Sequence, residues 1–280
     1  MKLAKPITIE ELQQTTLLAD NAKTWTLDNL VYLNKPMKLF GKSMKTKKGD
    51  DIKETHILYL QPADKVAVKT LCPYAKTAGC EKDCLISSGQ LGMTSGQMAS
   101  TKRTVLLLLR PNEFKTAMLQ EIDAKERKAV KTGIKALFRL NGTSDIDFSD
   151  IITARPNSQF YDYTKILARV DRNGLSNYDL TYSASMYSEH SRKQFKKAVF
   201  KGIRIATAWN TKDLADDAIK TSSVLEDFDK TDLRPLDGQV IGKLTRKGSN
   251  KAQRATDNKV SNSFFVTEAN LAEFNNIIGA

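Results

Sequence analysis

The three cysteines of the chain lie close together in the sequence, where their thiols could bind a metal. They fall within thirteen residues, at Cys72, Cys80 and Cys84, with the spacing C-x7-C-x3-C. Pro73 and Gly79 indicate that the first half of this stretch is a loop. Cys80 and Cys84 are four residues apart, so a helical turn would place both on one face. Three converging thiolates without a fourth cysteine predict an iron–sulfur cluster, [4Fe–4S], with one open iron.

Three other interpretations of the cysteines stay open from the sequence. A structural zinc site normally takes four protein ligands, and only His56 and His190, both distant in sequence, could supply the fourth. A cysteine nucleophile would need a base, and histidine is scarce. The thiols could also be inert and buried. The odd number of cysteines is unlike a disulfide framework and favours a reducing, cytoplasmic compartment.

The elements around the cysteines predict an α/β fold built from parallel βα units. Strands and helices alternate after residue 56, and their number favours a TIM-like (βα) barrel, incomplete or irregular, as one domain. We assign residues 56–280 to this barrel domain and residues 1–55 to an N-terminal extension with a helix and a basic loop. A predicted strand precedes the cysteines, which places them at the carboxyl ends of the strands, where barrels carry function.

Two local signals set boundaries among the predicted elements. Thr8 followed by Glu11 is a capping-box pattern at the start of a helix, and Pro111 should divide one long helical stretch in two. The predicted strands are residues 30–33, 57–60, 66–71, 136–141, 159–163, 178–183, 202–208, 224–228, 239–244 and 263–266. The predicted helices are residues 9–19, 95–131, 145–154, 164–171, 188–199 and 268–278.

Polar residues at the ends of predicted strands are candidates to line the mouth of the barrel. Alternation directs Arg139 and Asn141 to one face of their strand, and the sequence leaves open which face points inward. Asn141 and Asp145 would alternatively cap a helix, and the tyrosines would alternatively pack as half-buried strand residues. The candidates are Arg139, Asn141, Asp145, Tyr161, Tyr163 and Lys165.

The chain is basic, with a net charge of +12 and a pI near 9.4. This charge allows binding to nucleic acid or another polyanion, and a solvated, soluble surface is the simpler interpretation. The N-terminus lacks a signal sequence and no apolar run is long enough to span a bilayer, so we expect no membrane partner. The basic residues concentrate in two stretches: Lys35, Lys38, Lys42, Lys45, Lys47 and Lys48, and then Lys243, Arg246, Lys247, Lys251 and Arg254.

A further polar segment combines four carboxylates with one arginine. Asp227, Asp229, Asp232 and Asp237 gather around Arg234. They could bind a metal or act as acid and base, and a solvated loop with an internal Asp–Arg pair is the simpler interpretation. The sequence contains no glycine-rich phosphate loop of the G-x-x-x-x-G-K type.

Several motifs, taken in their order along the chain, resemble the gene product 88 family of phage-borne proteins. The resemblance covers residues 56 to 266, and it implies a phage-encoded protein of the host cytoplasm. Some members of the family are described as replication initiators. The motifs are Cys72-Pro73-x-Ala75-x-x-x-Gly79-Cys80-x-x-x-Cys84-Leu85, Arg139-Leu140-Asn141-Gly142-Thr143-Ser144-Asp145-Ile146, Phe160-Tyr161-Asp162-Tyr163-Thr164-Lys165, Asn177-Tyr178-x-Leu180-Thr181-Tyr182-Ser183, Asp232-Leu233-Arg234-x-Leu236-Asp237 and Lys247-Gly248.

The stretch that holds the three cysteines, together with the predicted barrel, also resembles the radical S-adenosylmethionine enzymes. Those enzymes hold a [4Fe–4S] cluster by three cysteines and leave one iron for the cofactor. The chain departs from them in its C-x7-C-x3-C spacing, where C-x3-C-x2-C is usual, and in lacking Gly-Gly-Glu after the next strand. The resemblance implies Cys72, Cys80 and Cys84 as cluster ligands and S-adenosylmethionine as a candidate ligand of the open iron.

The function that we expect is therefore cluster binding with redox or radical chemistry at the barrel mouth. Its target would be a small molecule or a redox partner of unknown identity. Two alternatives from other classes stay open. One is a replication-associated, nucleic-acid-binding protein with a structural metal site, and the other is a simple electron carrier without a substrate.

Overall fold

A computed structural model describes residues 1–42, 52–231, 233–234, 238, 240–247 and 251–279 of the protein. The chain separates into two compact units. Unit 1 contains Met1–Pro73 and Ile86–Phe160, and unit 2 contains Tyr74–Leu85 and Tyr161–Ala280. The division predicted from the sequence, into residues 1–55 and 56–280, stays a prediction.

The strands confirm the predicted α/β class, because they form a mostly parallel sheet of eight strands. They are β1 (Phe40–Gly41), β2 (Lys53–Leu58), β3 (Lys135–Arg139), β4 (Gln159–Thr164), β5 (Tyr178–Ser183), β6 (Ile205–Trp209), β7 (Leu225–Asp227) and β8 (Ile241–Thr245). Their order in the sheet is β1-β2-β3-β4-β5-β6-β8-β7, and β1 runs antiparallel to β2. The sheet does not close within the described residues, so the barrel stays a prediction.

Helices connect most of the parallel strands. They are α1 (Ile9–Gln14), α2 (Asp20–Asp28), α3 (Leu30–Asn34), α4 (Ala75–Ala78), α5 (Gly89–Gly92), α6 (Thr94–Leu109), α7 (Pro111–Thr132), α8 (Ser149–Thr153), α9 (Leu167–Asp171), α10 (Glu189–Phe200), α11 (Lys212–Thr221), α12 (Lys251–Asp257) and α13 (Leu271–Ile278). Among these described helices, none combines the length and the apolar character that a membrane span requires.

Local signals place the first helices of unit 1 where the sequence predicts them. The Thr8 hydroxyl accepts a hydrogen bond from the Glu11 amide at 3.2 Å and caps α1, and Ile7 and Leu12 are both buried beside it. Pro111 occupies the first position of α7, where its missing N–H costs nothing, and it separates α7 from α6.

Three predicted strands are wrong, for one shared reason. Residues 30–33 form most of α3, whereas residues 66–71 are irregular apart from one bridge between Ala67 and Leu18. Residues 263–266 are likewise irregular apart from a bridge between Val266 and Trp209. A short apolar run suits a strand, a helix or a buried loop equally well, so its periodicity does not decide between them.

Unit 2 forms around the parallel strands β5, β6, β8 and β7. Trp209, at the end of β6, is fully buried and packs edge-on against Phe274 of α13 with ring centroids 5.0 Å apart. Phe195 of α10 packs against the Phe274 ring as well, with ring centroids 5.6 Å apart. Because these strands are parallel, their carboxyl ends lie along one edge of the sheet, and the loops that follow them can carry a common site.

Candidate functional site

Cys72 in unit 1 lies against the loop that follows β3. Its thiol is partly buried, and its Sγ lies 3.7 Å from the carbonyl oxygen of Thr143. The preceding carbonyl, of Leu71, accepts a hydrogen bond from the Asp145 amide at 2.9 Å. The first cysteine is therefore held at the carboxyl end of β3, although no strand precedes it as the sequence predicts.

The loop after β3 reaches this position because Gly142 has no side chain. A Cβ atom there would lie 2.7 Å from the Leu58 carbonyl oxygen and 2.5 Å from Ile57 Cγ2. Instead, the Gly142 amide donates to the Leu58 oxygen at 3.0 Å, and the Thr143 hydroxyl donates to the Leu60 oxygen at 2.5 Å. These contacts fasten the loop to the end of β2.

The three predicted site residues around this loop are buried, and one of them shapes the turn. The Asn141 side chain accepts hydrogen bonds from the Ser144 hydroxyl and the Ile146 amide, and it donates to the Ile146 carbonyl. Asn141 therefore closes a turn within the loop and does not cap α8, which begins at Ser149, so the predicted alternative of a helix cap is wrong for this residue. Arg139 is the last residue of β3 and is 8% exposed, and Asp145 is 7% exposed.

The other two cysteines lie on a short segment of unit 2, residues 74–85, which we call the cysteine loop. Within it, Cys80 follows α4, and its Sγ lies 3.8 Å from the Ala75 carbonyl oxygen. Cys84 lies four residues further along, and both thiols are partly buried.

Hydrogen bonds hold the cysteine loop against the residues that follow β5. The Ser185 hydroxyl donates to the Ala78 oxygen at 2.7 Å, and the Ser188 hydroxyl donates to the Thr77 oxygen at 2.8 Å.

Arg246 fastens the other end of the cysteine loop. It directly follows β8, and its guanidinium pairs with Asp83, the neighbour of Cys84, and with Asp257. Its Nη1 also donates to the Asn210 side-chain oxygen at 2.8 Å. The Arg246 side chain is 5% exposed, and the planar fork of its guanidinium allows one cation to bind three partners.

Lys165 and Ser183 form a polar pair at the ends of β4 and β5. The Lys165 ammonium donates to the Ser183 hydroxyl at 3.0 Å and lies 4.1 Å from the centre of the Phe264 ring. Of the two predicted tyrosines, Tyr161 is fully buried in β4 and Tyr163 is partly buried. Of the three predicted candidates in unit 2, Lys165 is therefore the one that places a charged group at the ends of the strands.

The second basic stretch includes two residues that are neither exposed nor available to phosphates. Lys243 is 2% exposed, and its ammonium lies 3.2 Å from Asp216, 3.2 Å from Asp227 and 3.7 Å from Asp229. Burial opposes its charge, but the hydrogen bonds with Asp227 and Asp216 outweigh burial and raise the pKa of Lys243. Arg246 is buried in the same way.

The acidic segment around Arg234 also differs from the predicted solvated loop with an internal Asp–Arg pair. Asp227 and Asp229 contact Lys243, whereas Arg234 is fully buried and stacks 3.7 Å from the Phe228 ring. Several predicted charges lie outside the described residues: Lys45, Lys47 and Lys48 of the first basic stretch, and Asp232 and Asp237 of the acidic segment.

The cysteines match an iron–sulfur cluster in the kind of their donor atoms. Cys72, Cys80 and Cys84 are partly buried thiols, and thiolates are the ligands that hold such clusters. Across the part of the chain that the structure describes, no three His, Cys, Asp or Glu side chains are grouped to hold a metal ion. The cysteines of a cluster bind separate irons, so they stand further apart than the ligands of one ion. The fit therefore depends on the chemistry of the donors.

A groove of about 1020 Å³ in unit 1 is lined neither by the cysteines nor by the predicted strand-end candidates. It runs between the N-terminal residues 1–4 and α7, and Lys38 also lines it. Its walls carry charges of both signs, including Lys125 and Glu121. No predicted site residue lines it.

We expect Gly79→Ala to destabilise the cysteine loop. Gly79 has φ +66, and a Cβ atom there would lie 2.4 Å from the Tyr187 ring. The left-handed backbone and the steric overlap together should cost about 3 kcal/mol in the free energy of unfolding, measured by urea denaturation. Gly202 has φ +62 with open space around it, so Gly202→Ala is a matched control that should cost about 1 kcal/mol.

A second variant separates the two causes at Gly79. In a Tyr187→Ala background, Gly79→Ala should cost only about as much as Gly202→Ala, because the overlap with the ring is gone. Equal costs of Gly79→Ala in both backgrounds would show that the ring moves aside freely and does not brace the loop.

The residues that hold the cysteine loop are not among the predicted site candidates. Ser185 and Asn210 belong to polar stretches at strand ends, as Lys165 does, and Arg246 directly follows a strand. The neighbouring lysines place Arg246 in a predicted basic stretch, and its position directly after a strand is then easily overlooked. No sequence signal reports that Asp83 is its partner, since 163 residues separate them.

Residues 32–261 of the chain match the model of the family described as gene product 88. Neither a curated protein nor a solved structure matches the chain.

Proposed function

The chain belongs to the gene product 88 family, and we propose that it binds a [4Fe–4S] cluster through Cys72, Cys80 and Cys84. The observation that carries the proposal is that all three cysteines are partly buried thiols on segments fastened to strand ends. Partial burial suits a cluster, which needs protection from solvent and access for a partner. When bound, the cluster would supply one-electron chemistry.

The residues around the thiols have two tasks in this proposal. Arg246 and Ser185 fix the backbone of the cysteine loop, so the Cys80 and Cys84 thiolates do not lose orientation when a ligand binds. Lys165 and Ser183 present N–H and O–H donors at the ends of neighbouring strands, where an anionic group of a substrate could accept them. Arg139, Asn141, Asp145, Tyr161 and Tyr163 stay candidates for the walls of such a site.

Iron and sulfide analysis of anaerobically purified protein tests the proposal. We expect about four irons and four sulfides per chain, with the broad visible absorption of a cluster. Each of Cys72→Ser, Cys80→Ser and Cys84→Ser should lose most of the iron, because serine lacks the soft sulfur donor. Ser223→Ala, an exposed position in unit 2, is the control and should retain full iron content. Zinc in place of iron, or iron unchanged in the serine variants, would refute the cluster.

Electron paramagnetic resonance then separates an enzyme from an electron carrier. A changed spectrum on adding S-adenosylmethionine, followed by cleavage of that cofactor on reduction, would support radical chemistry. Reversible reduction with neither effect would support a simple electron carrier. Both outcomes presuppose the iron content measured first.

The net charge of +12 favours a second candidate function, nucleic-acid binding with a structural metal site. Affinity that falls steeply with salt would support it, since phosphate contacts release counterions. Equal affinity of iron-loaded and iron-free protein would show that nucleic-acid binding does not need the metal. The absence of measurable affinity at low salt would exclude this candidate.

A further inference from the structure

Phe200, at the end of α10, is more exposed than any other large apolar side chain in the part of the chain that the structure describes. It is 92% exposed, while the opposite face of the helix buries Phe195 and Ala198 in the core of unit 2. Burial removes the apolar surface of a phenylalanine from water and so stabilises it, and Phe200 gains almost none of this within the chain. Its ring therefore presents both faces to solvent, as a binding residue would.

Two lysines share the helix face of this ring, and an arginine lies at the end of the neighbouring helix. Lys196 and Lys197 are exposed and lie four and three residues before Phe200, so they share its face of the helix. At the helix end, Lys201 pairs with Asp171 at 2.8 Å and so joins the end of α10 to the end of α9. Arg172, the next residue after Asp171, is exposed there as well. We call Arg172, Lys196, Lys197 and Phe200 the aromatic–basic surface.

We propose that the aromatic–basic surface binds single-stranded nucleic acid, with one base stacked on Phe200 and neighbouring phosphates on the three cations. A single exposed aromatic ring among cations combines the two interactions that such ligands need, stacking and phosphate contact. A duplex would hide its base faces from the ring. A membrane surface would call for several apolar side chains beside the cations, whereas this surface has one. The proposal specifies a location for the second candidate function and does not depend on the cluster.

Variants at Phe200 test the stacking. Binding of a fluorescent oligothymidylate of about 16 nucleotides would be measured by anisotropy at low salt, with the full-length protein. Phe200→Ala should weaken binding about tenfold. Phe200→Trp should retain full affinity, while Phe200→Leu, which is apolar but has no π face, should lose about as much as alanine. All three substitutions are at an exposed position, so circular dichroism should show unchanged folding.

Variants at the lysines test the phosphate contacts against a matched control. Lys196→Gln/Lys197→Gln should lower the slope of log affinity against log salt by about 1.4, since each phosphate contact on a single strand contributes about 0.7. The end of α7 offers the control, because Lys128 and Lys131 are exposed there beside an aliphatic side chain, Val130, which is 78% exposed. Lys128→Gln/Lys131→Gln removes the same charge and should change affinity by less than about twofold.

Three results would overturn the proposal for the aromatic–basic surface. If the α7 double variant lost as much affinity as the α10 double variant, the charge of the whole chain would be acting and not this surface. If Phe200→Ala bound as tightly as the unchanged protein, stacking there would be excluded while nucleic-acid binding elsewhere on the chain would stand. Binding to anionic vesicles that Phe200→Leu retains would assign the surface to membranes instead.

Discussion

Replacing Arg246 by methionine should destabilise unit 2 by about 3 kcal/mol and release the cysteine loop. The Arg246 side chain is 5% exposed and pairs with Asp83 and Asp257, which keep about a quarter of their side-chain surface in solvent. Breaking a buried ion pair costs about 3–5 kcal/mol, and the partial exposure of the two carboxylates places this case at the lower end. Methionine also leaves the buried Asn210 oxygen without its donor. Urea denaturation measures the change.

Arg246→Lys distinguishes geometry from charge. Lysine keeps the charge but has no planar fork, so it cannot reach Asp83, Asp257 and Asn210 together and should recover only part of the stability. Hydrogen exchange of the amides of residues 80–84 should accelerate in both variants, because Asp83 is their tie to the strand end.

The exposed pair of Lys220 and Asp217 is the matched control for Arg246. Its two side chains are 73% and 72% exposed, so solvent screens the pair and Lys220→Met should leave the urea midpoint almost unchanged. If Arg246→Met cost no more than Lys220→Met, or left exchange in the loop unchanged, Arg246 would not be what holds the cysteine loop. Measuring the iron content of the Arg246 variants would then test the proposed cluster, independently of the stability and exchange measurements.

The sequence was most informative where one local interaction decides the structure. Pro111 begins α7 and Thr8 caps α1, as predicted, because each acts within one helical turn. The bounds of β5, Tyr178–Ser183, agree with the prediction. Helix α11 was missed, although Thr211 caps it with its side chain and apolar residues recur along one face. That capping residue was the signal that could have found it.

The site was less predictable because its contacts join distant parts of the chain. The clustering of the cysteines and the polar strand ends could be read directly, and Lys165 does lie at such an end. The burial of Lys243 could not be predicted, because a lysine among basic residues usually lies on a solvated surface. Its partner Asp216 is 27 residues away in the sequence. Similarly, the tie between Asp83 and Arg246 depends on tertiary structure that no local pattern encodes.

Unit 1 should lose stability as the pH falls from 6.5 to 4, because of one buried histidine. His56 lies in β2 and is 3% exposed, with its ring 5.5 Å from that of Phe138 and its Nε2 3.3 Å from Glu54 Oε1. Burial, aided by the charge of Lys125 and only partly opposed by Glu54, lowers the pKa of His56 from 6.5 to about 4.

The direction of the effect follows from which state binds the proton. Below pH 6.5 the unfolded chain protonates His56, while the folded protein keeps it neutral down to about pH 4. Stability from this residue is therefore complete above pH 6.5 and declines as the pH falls through that window. Because one pKa unit corresponds to about 1.4 kcal/mol, the decline should reach about 3 kcal/mol at pH 4.

Two measurements isolate this contribution from that of the carboxylates. Urea denaturation across pH 4–7 should show a shallower decline for His56→Gln than for the unchanged protein, whereas His190→Gln, at the exposed second histidine, should leave the decline unchanged. Titration of the imidazole signals by nuclear magnetic resonance should place the His56 midpoint near pH 4. A midpoint near 6.5 would mean that solvent reaches the His56 ring in the folded state. In that case His56 would contribute nothing to the decline in stability, and His56→Gln would leave the decline unchanged.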